Sequence, residues 1–247
     1  MENIEKIVSE FNKIKNLGFV KSNRINNKDG GIGNTFEDYL GVEENNLKDP
    51  DFEGFEIKTQ RELTSSYITL FSKSPSFPKG ANAILKDRFG EVRDFNFPDL
   101  KKLYASIFGN KWSNVYGKYP MKIHVDYNQQ RVYLHVKDNN TLYNEVYWDF
   151  EQLRKGLNKL NKLFVVSANQ KTINSIYHYH YNKGTVYLNI NFNQFLKILE
   201  EGHIQFDIRM GVYKSGKNYG KPHDHGSGFR IKKESLKGLF ETIIDLS

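Results

Sequence analysis

The most reactive feature of this chain is a short run of carboxylates and a lysine. Residues 50–58, PDFEGFEIK, have the form Pro-Asp-x4-Glu-x-Lys, with Asp51, Glu56 and Lys58 at the defining positions. Hydrolysis of a phosphodiester requires a divalent cation on hard oxygen ligands, a positioned water, and positive charge beside the phosphate. Phe55, Ile57 and Thr59 alternate with Glu56, Lys58 and Gln60, which predicts a strand. On a strand, residues i and i+2 share a face, so Glu56 and Lys58 project side by side. Asp51, just before the strand, can close on the same cation, and the Ile57 carbonyl between them is a further oxygen donor. Glu37 can bring another carboxylate or help to bind a second cation. In the first turn of its own predicted helix, it could equally be a simple dipole partner. The plain alternative for the whole motif is a solvated strand face carrying a Glu–Lys pair.

The same spacing recurs at Asp94-x4-Asp99-x-Lys101. There, Leu100, Leu103, Tyr104, Ile107 and Phe108 predict a helix opening at Pro98. On a helix, i and i+2 point about 200° apart, so Asp99 and Lys101 are not expected to converge.

A second constellation lies near the C-terminus, in FDIRMGVYKSGKNYGKPHDHGSGFRI, residues 206–231. Asp207 and Arg209 share one strand face. A loop with Gly216, Gly220, Gly226, Lys214, Lys217 and Lys221 follows, then His223 and His225 on either side of Asp224, and then Arg230. Arg donates to guanine O6 and N7, Asp accepts from cytosine N4, and His can donate or accept. G·C pairs are the natural target of this set, with a solvated basic loop as the alternative. The His-x-His pair lacks any accompanying Cys and sits among cations, which disfavours zinc. Gly31 to Phe36 lacks the third glycine and the preceding strand of a dinucleotide-binding loop. His178 and His180 read as ordinary surface aromatics.

Charge is distributed to match these two regions. Across the 247 residues, 36 Lys+Arg stand against 29 Asp+Glu, for a net +7. Residues 37–62 hold nine acidic and three basic side chains, whereas residues 205–233 hold seven basic and two acidic. This fits a cation site and a separate phosphate-facing surface, with a merely patchy surface as the plain alternative. Only eight of the basic residues are Arg, and two of those are Arg209 and Arg230. There is no Cys, which removes disulfides, thiolate metal sites and Cys nucleophiles. The absence of a long apolar run and a charged N-terminal stretch without a signal-peptide core lead us to expect a cytoplasmic protein without a membrane partner.

The elements that must position these residues follow from periodicity. Residues 2–17 predict an amphipathic helix, and Asn34-Thr35 an N-cap with Asp38 as capping-box partner, the short helix ending at Gly41. Strands are expected at Tyr67–Ser72, Leu163–Ser167 and Ile204–Val212. A hairpin is expected over 121–136, and another over Ile176–Ile190 turning at Asn182-Lys183-Gly184. Helices are expected over 150–160, 192–200 and 233–244. Strands and helices mix without regular alternation, which predicts a mixed α+β fold of two lobes on one continuous core.

Taken in order, GIGNTFED, PDFEGFEIKT, TLFSKSPSFPKGAN, VYWDFEQL and the 207–231 stretch resemble the MvaI/BcnI-type restriction endonucleases, relatives of the MutH nicking enzyme. The similarity runs over about residues 18–232, closer to the MvaI branch. It implies a PD-(D/E)xK core, a mixed β-sheet flanked by helices, with a DNA-recognition lobe. It also implies a bacterial or archaeal monomer that cuts double-stranded DNA one strand at a time, at a CC-x-GG site of CCWGG type. By this resemblance Glu37, Asp51, Glu56 and Lys58 are catalytic, and Asp51, Glu56, Ile57 and Glu37 hold Mg²⁺. Mn²⁺ is expected to substitute and Ca²⁺ to support binding only. Asp207, Arg209, His223, His225 and Arg230 match a major-groove segment, joined by Lys214, Lys217 and Lys221, and the Ser72–Lys79 loop brings Lys73 from the catalytic side. Residues 1–120, with contributions from 146–170, are expected to be mainly catalytic and 121–247 mainly recognition. A cognate DNA methyltransferase belongs to such a system. A MutH-like nickase and a non-catalytic DNA-binding protein are the alternatives.

Overall fold

In the computed structural model, residues 2–24, 30–42, 51–62 and 67–246 are described; Pro50, the first residue of the motif, lies outside them. The chain divides into two interleaved units. One comprises Met1–Ser66, Asn158–Asn191 and Phe240–Ser247, the other Tyr67–Leu157 and Phe192–Leu239. Residue 120 lies inside the second unit, in the strand Tyr119–Asp126.

In the first unit, the buried strand Lys162–Ile173 runs parallel to Glu56–Arg61 on one side and antiparallel to Ile176–Ile190 on the other. Val20–Lys21 and Phe240–Asp245 pair with the far edge of Ile176–Ile190. Two helices supply the apolar cover. Glu2–Asn16 buries Ile7, Phe11 and Ile14, and Gly31–Leu40 buries Ile32, Phe36 and Leu40. They share one core with Phe55, Ile57, Phe164, Val166, Tyr179, Tyr181 and Val186. Phe11 meets Phe164 edge-on at 5.5 Å, and Phe36 lies 4.9 Å from Tyr181.

The second unit holds a six-stranded sheet and a four-stranded antiparallel meander. In the first of these, Tyr67–Ser72, Gly228–Lys232, Ile204–Val212, Lys101–Phe108 and Glu91–Val92 follow in order, and Pro222–Asp224 also pairs with Ile204–Val212. Trp148 packs against Phe206 and Phe229 at 4.6 and 5.3 Å. The mixed α+β class expected from the sequence is the class observed. No helix among the described residues is long and apolar enough to cross a membrane.

Several local expectations are corrected. Lys101–Phe108 is a strand, not a helix: its short apolar run is ambiguous in isolation, and pairing with Ile204–Val212 decides it. Residues 233–244 split into a 3-10 turn, Lys233–Leu239, and the strand Phe240–Asp245. Ile176–Ile190 is one continuous strand. The reversal lies earlier, at Asn174 and Ser175, whose positive φ values of 48° and 63° suit a two-residue hairpin. Asn182 and its neighbours form a bulge opposite Ser167 and Ala168 instead. The second helix starts at Gly31 with Gly30 as N-cap, placing Thr35 inside the helix and Glu37 beyond its first turn. Thr35 is buried, and its hydroxyl accepts the Asn23 N–H at 3.3 Å. Gly41 ends the helix as expected, at φ 73°. The helix Ala81–Phe89 and the strand Thr141–Asp149 were not anticipated.

At Gly184 the bulged strand passes close to the core aromatics. A Cβ there would stand 2.9 Å from the Phe164 ring and 3.1 Å from Phe11. Gly184→Ala is therefore expected to destabilise the protein by about 1–3 kcal/mol through overpacking. Chemical denaturation checks this; an unchanged midpoint would mean that the rings relax freely.

Candidate functional site

Ile57 points into the core of the first unit, at 3% exposure, so the alternation of an extended strand sends Glu56 and Lys58 to the opposite face. There the Lys58 ammonium pairs with Glu56 Oε1. A second ammonium, that of Lys159, stands 2.8 Å from Glu56 Oε2. The Glu56 side chain is only 7% exposed, and a carboxylate so buried needs such compensation. Further along the same face, Gln60 donates to Ser167 Oγ at 3.3 Å.

Asp51 is fixed differently. Its Oδ2 accepts the backbone N–H of Ile57 at 2.8 Å. Among the described strands, Glu56–Arg61 has a hydrogen-bonded neighbour on one side only. The N–H and C=O of a strand residue point to the same edge, so the Ile57 carbonyl faces the free edge beside the Asp51 carboxylate. Burial pushes the Asp51 pKa up. The Ile57 N–H opposes that shift and the neighbouring Glu56 charge adds to it, while Lys159 and then Lys58 oppose it. Two carboxylates and a carbonyl, with negative charge in close company, are the hard-oxygen set that a divalent cation of the Mg²⁺ type takes.

Glu37 stands apart from this pair. It lies one turn after Gly33, where a Cβ would come within 3.1 Å of Thr59 Oγ1 and 3.9 Å of Glu37 Oε1. The helix thus lies close against the Glu56–Arg61 strand and carries Glu37 with it. Among the described residues, however, no three His, Asp or Glu side chains are gathered closely enough to hold a metal ion. Asp51, Glu56, Ile57 and Lys58 are brought together, and Glu37 flanks them.

The second constellation is built on the six-stranded sheet. Asp207 is 8% exposed and acts as a hub. Its Oδ2 receives Arg209 Nε at 2.7 Å and lies 2.9 Å from Arg230 Nε, while its Oδ1 accepts from Ser106 at 3.0 Å. Arg230 is 13% exposed and donates on to Thr69 Oγ1 at 2.5 Å and the Gly226 carbonyl at 3.1 Å. Burial, and then the nearby Arg209 charge, lower its pKa, with Asp207 opposing. Arg209 is 41% exposed. Its Nε is engaged by Asp207, and the rest of the guanidinium belongs to a side chain that is partly open to solvent.

A hollow of about 490 Å³ opens beside Arg209, lined by Tyr104, Ser106, Asp207 and His225 among others. His225 hydrogen-bonds through its backbone N–H to the Arg209 carbonyl at 2.9 Å. His223 stacks on Tyr213 with 4.3 Å between ring centres and 7° between planes, and lies 4.1 Å from His225. Gly211 permits this packing, since a Cβ there would come within 2.9 Å of the His225 ring. Asp207, Arg209, His223, His225 and Arg230 therefore converge.

The lysines do not join them. Lys214 is held by Asp94 at 2.5 Å, Lys221 donates to Asn218 at 3.2 Å, and Lys217 sits exposed in the turn Gly216–Asn218. Lys73 is half-buried in a loop whose carbonyl accepts from Trp148 at 3.0 Å.

Sequence reasoning missed Lys159, which reaches the site through a parallel pairing that no local pattern reveals. It also missed Asp224 as an organiser. Asp224 Oδ1 accepts the backbone N–H groups of Gly226 and Ser227 at 3.0 and 2.6 Å, and Oδ2 accepts from Asn82 at 2.9 Å. The Asp-x-Gly-Ser order is a turn signal that would have found this one.

The raised Asp51 pKa has a consequence for stability. A carboxyl group whose folded-state pKa lies above its unfolded value contributes stability at low pH that is lost as pH rises through the folded value. At neutral pH without metal, Asp51→Asn is therefore expected to raise the melting temperature, with a gain that shrinks as pH falls toward 4. Thermal melts in EDTA across this range test it. An equal or lower melting temperature at pH 7 would contradict the assigned environment.

A model of the MvaI/BcnI restriction endonuclease family matches residues 8–240. Among solved structures, the fold is similar to that described as "Restriction endonuclease MvaI-cognate DNA substrate complex", with a TM-score of 0.88 at 35% identity, covering 100% of this chain and 99% of that one. The structure described as "Restriction endonuclease MvaI in the absence of DNA" gives 0.66 at 35% identity, with 100% and 98% covered. No curated protein sequence matches. With a carboxylate–lysine edge in one unit and an Asp–Arg–His face in the other, matched over nearly its whole length, the chain belongs to the MvaI/BcnI restriction endonuclease family of type II site-specific nucleases acting on DNA.

Proposed function

We propose that this endonuclease is Mg²⁺-dependent and cleaves double-stranded DNA at a short pseudo-palindromic CC-x-GG site of CCWGG type, as a monomer that cuts the strands in sequence. Mn²⁺ is proposed to substitute and Ca²⁺ to support binding alone. A cognate DNA methyltransferase is proposed to accompany it in the same system. The observation that carries the catalytic reading is the placement of Asp51 on the Ile57 N–H, at the free edge of the strand whose outer face presents Glu56 and Lys58.

Asp51, Glu56 and the Ile57 carbonyl would hold the cation, with Glu37 assisting from the adjoining helix. When bound, the cation supplies charge neutralisation at the scissile phosphate. Lys58 projects from the same face as Glu56, where its ammonium can orient the attacking water and stabilise charge that develops on the phosphoryl oxygens. The buried flank of the strand, with Val165 beside Lys58 in register, limits competing water around that lysine. In the recognition face, Arg209 offers its guanidinium as a bidentate fork for guanine, and Asp207 is an acceptor of the kind cytosine N4 requires. His223, His225 and Arg230 complete the major-groove set, with Lys73, Lys214, Lys217 and Lys221 as phosphate contacts.

Asp51→Ala or Lys58→Ala is expected to abolish cleavage of plasmid DNA in Mg²⁺ while site-selective binding in Ca²⁺ persists. Loss of binding along with cleavage would argue against these residues as the catalytic set. Digestion of a sequenced viral genome by the wild-type protein identifies the site from the mapped fragment ends. Plasmid that is relaxed but never linearised would identify a nicking enzyme instead. Arg209→Ala is expected to cost about 1–3 kcal/mol in discrimination between specific and random duplexes. Equal weakening on both would mark Arg209 as a phosphate contact.

A further inference from the structure

Lys159 belongs to neither the motif nor the strand that carries it. It precedes the strand Lys162–Ile173, in which Leu163 lies in register with Glu56, so the chain entering that strand passes the head of Glu56–Arg61. Its ammonium reaches Glu56 Oε2 at 2.8 Å, while Oε1 is held by Lys58. The two lysines thus occupy both oxygens of a carboxylate that is 7% exposed. Lys159, like Lys58, also lies close enough to Asp51 to oppose the rise in its pKa. Two carboxylates and two ammonium groups balance to neutrality without any metal. A divalent cation bound to the same carboxylates adds two positive charges, and repulsion must then expel one ammonium. Lys58, rising from the strand itself, keeps its place beside the ligands. Lys159, on a flexible four-carbon stem with a 36% exposed side chain, has open solvent to enter.

We propose that Lys159 is a tethered counter-cation of the active site, pairing with Glu56 in the metal-free enzyme and yielding its place when a divalent cation binds. This rests on the reading of Asp51 and Glu56 as metal ligands. Displacing Lys159 opposes metal binding in the free protein. Lys159 is in this sense a positioning residue for Glu56.

Mn²⁺ binding to the full chain without DNA, read by electron paramagnetic resonance of the free ion, tests the proposal. Lys159→Met is expected to bind Mn²⁺ about tenfold tighter than wild type, the scale of one partly buried ion pair, and added salt should narrow the difference. Lys159→Arg, which keeps the charge, is expected to stay close to wild type. Equal or weaker binding by Lys159→Met would overturn the counter-cation role. The paired variant Asp51→Asn with Glu56→Gln separates the two readings. If it loses Mn²⁺ while Lys159→Met shows no gain, the ligands stand and the Lys159 role falls. If it binds Mn²⁺ as wild type does, the ligand assignment fails and the proposal with it.

Discussion

Ile57 must point into the core for the first sheet to close on its two helices, and the chemistry of its neighbours follows from that burial. It packs in one cluster with Phe55, Phe164 and Val166, so Glu56 and Lys58 have nowhere to go but the other face. A register slip of one residue would send a lysine and a glutamate into that cluster and Ile57 to the site. The hydrophobic core therefore sets the register of the candidate site without contributing an atom to its chemistry. The edge position of the strand matters as much. With a neighbour on one side only among the described strands, the Ile57 N–H is available to Asp51, and the motif's two halves are joined through the backbone between them.

The candidate recognition face relies on a different device, a buried acceptor shared among donors. Asp207 engages Arg209, Arg230 and Ser106 together, and removing it would leave two guanidinium groups facing one another with no intervening charge. Arg230 is turned inward to Thr69 and Gly226, which ties the strands Tyr67–Ser72 and Gly228–Lys232 to the Asp207 side chain. Arg209 is held at Nε, with its side chain partly exposed. A guanidinium fixed in this way loses little rotamer freedom on meeting a planar partner, so more of the contact energy remains for discrimination.

What could be read from the sequence was local. The alternation at Phe55 to Gln60 gave the strand and the shared face of Glu56 and Lys58, and the spacing of Asp207 and Arg209 gave their common face. Elements decided by distant partners were misread. Lys101–Phe108 has an apolar run that suits either element until Ile204–Val212 pairs with it, and Phe240–Asp245 becomes a strand because Ile176–Ile190 offers an edge. Asn182-Lys183-Gly184 looks like a hairpin turn, but Asn174 and Ser175 take the required positive φ values and the glycine serves close packing instead. Lys159 was invisible for the same reason, since only the parallel register with Lys162–Ile173 brings it to Glu56.

The repeated spacing at Asp94, Asp99 and Lys101 shows what separates a site from its imitation. Both patterns run into a strand, so periodicity alone does not divide them, contrary to the helix expected there. The difference lies in one backbone hydrogen bond. Ile57, six residues after Asp51, gives its N–H to that aspartate. Leu100, six residues after Asp94, gives its N–H to the Phe97 carbonyl, which leaves Asp94 to turn away and take Lys214. Lys101 reaches the Asp87 carbonyl at 2.9 Å. The pKa directions divide in the same sense: burial raises Asp51, whereas the Lys214 hydrogen bond lowers Asp94. A carboxylate already satisfied by an exposed lysine has no unmet demand for positive charge. One buried beside a second carboxylate is held above its ordinary pKa, and positive charge brought beside it favours its charged form.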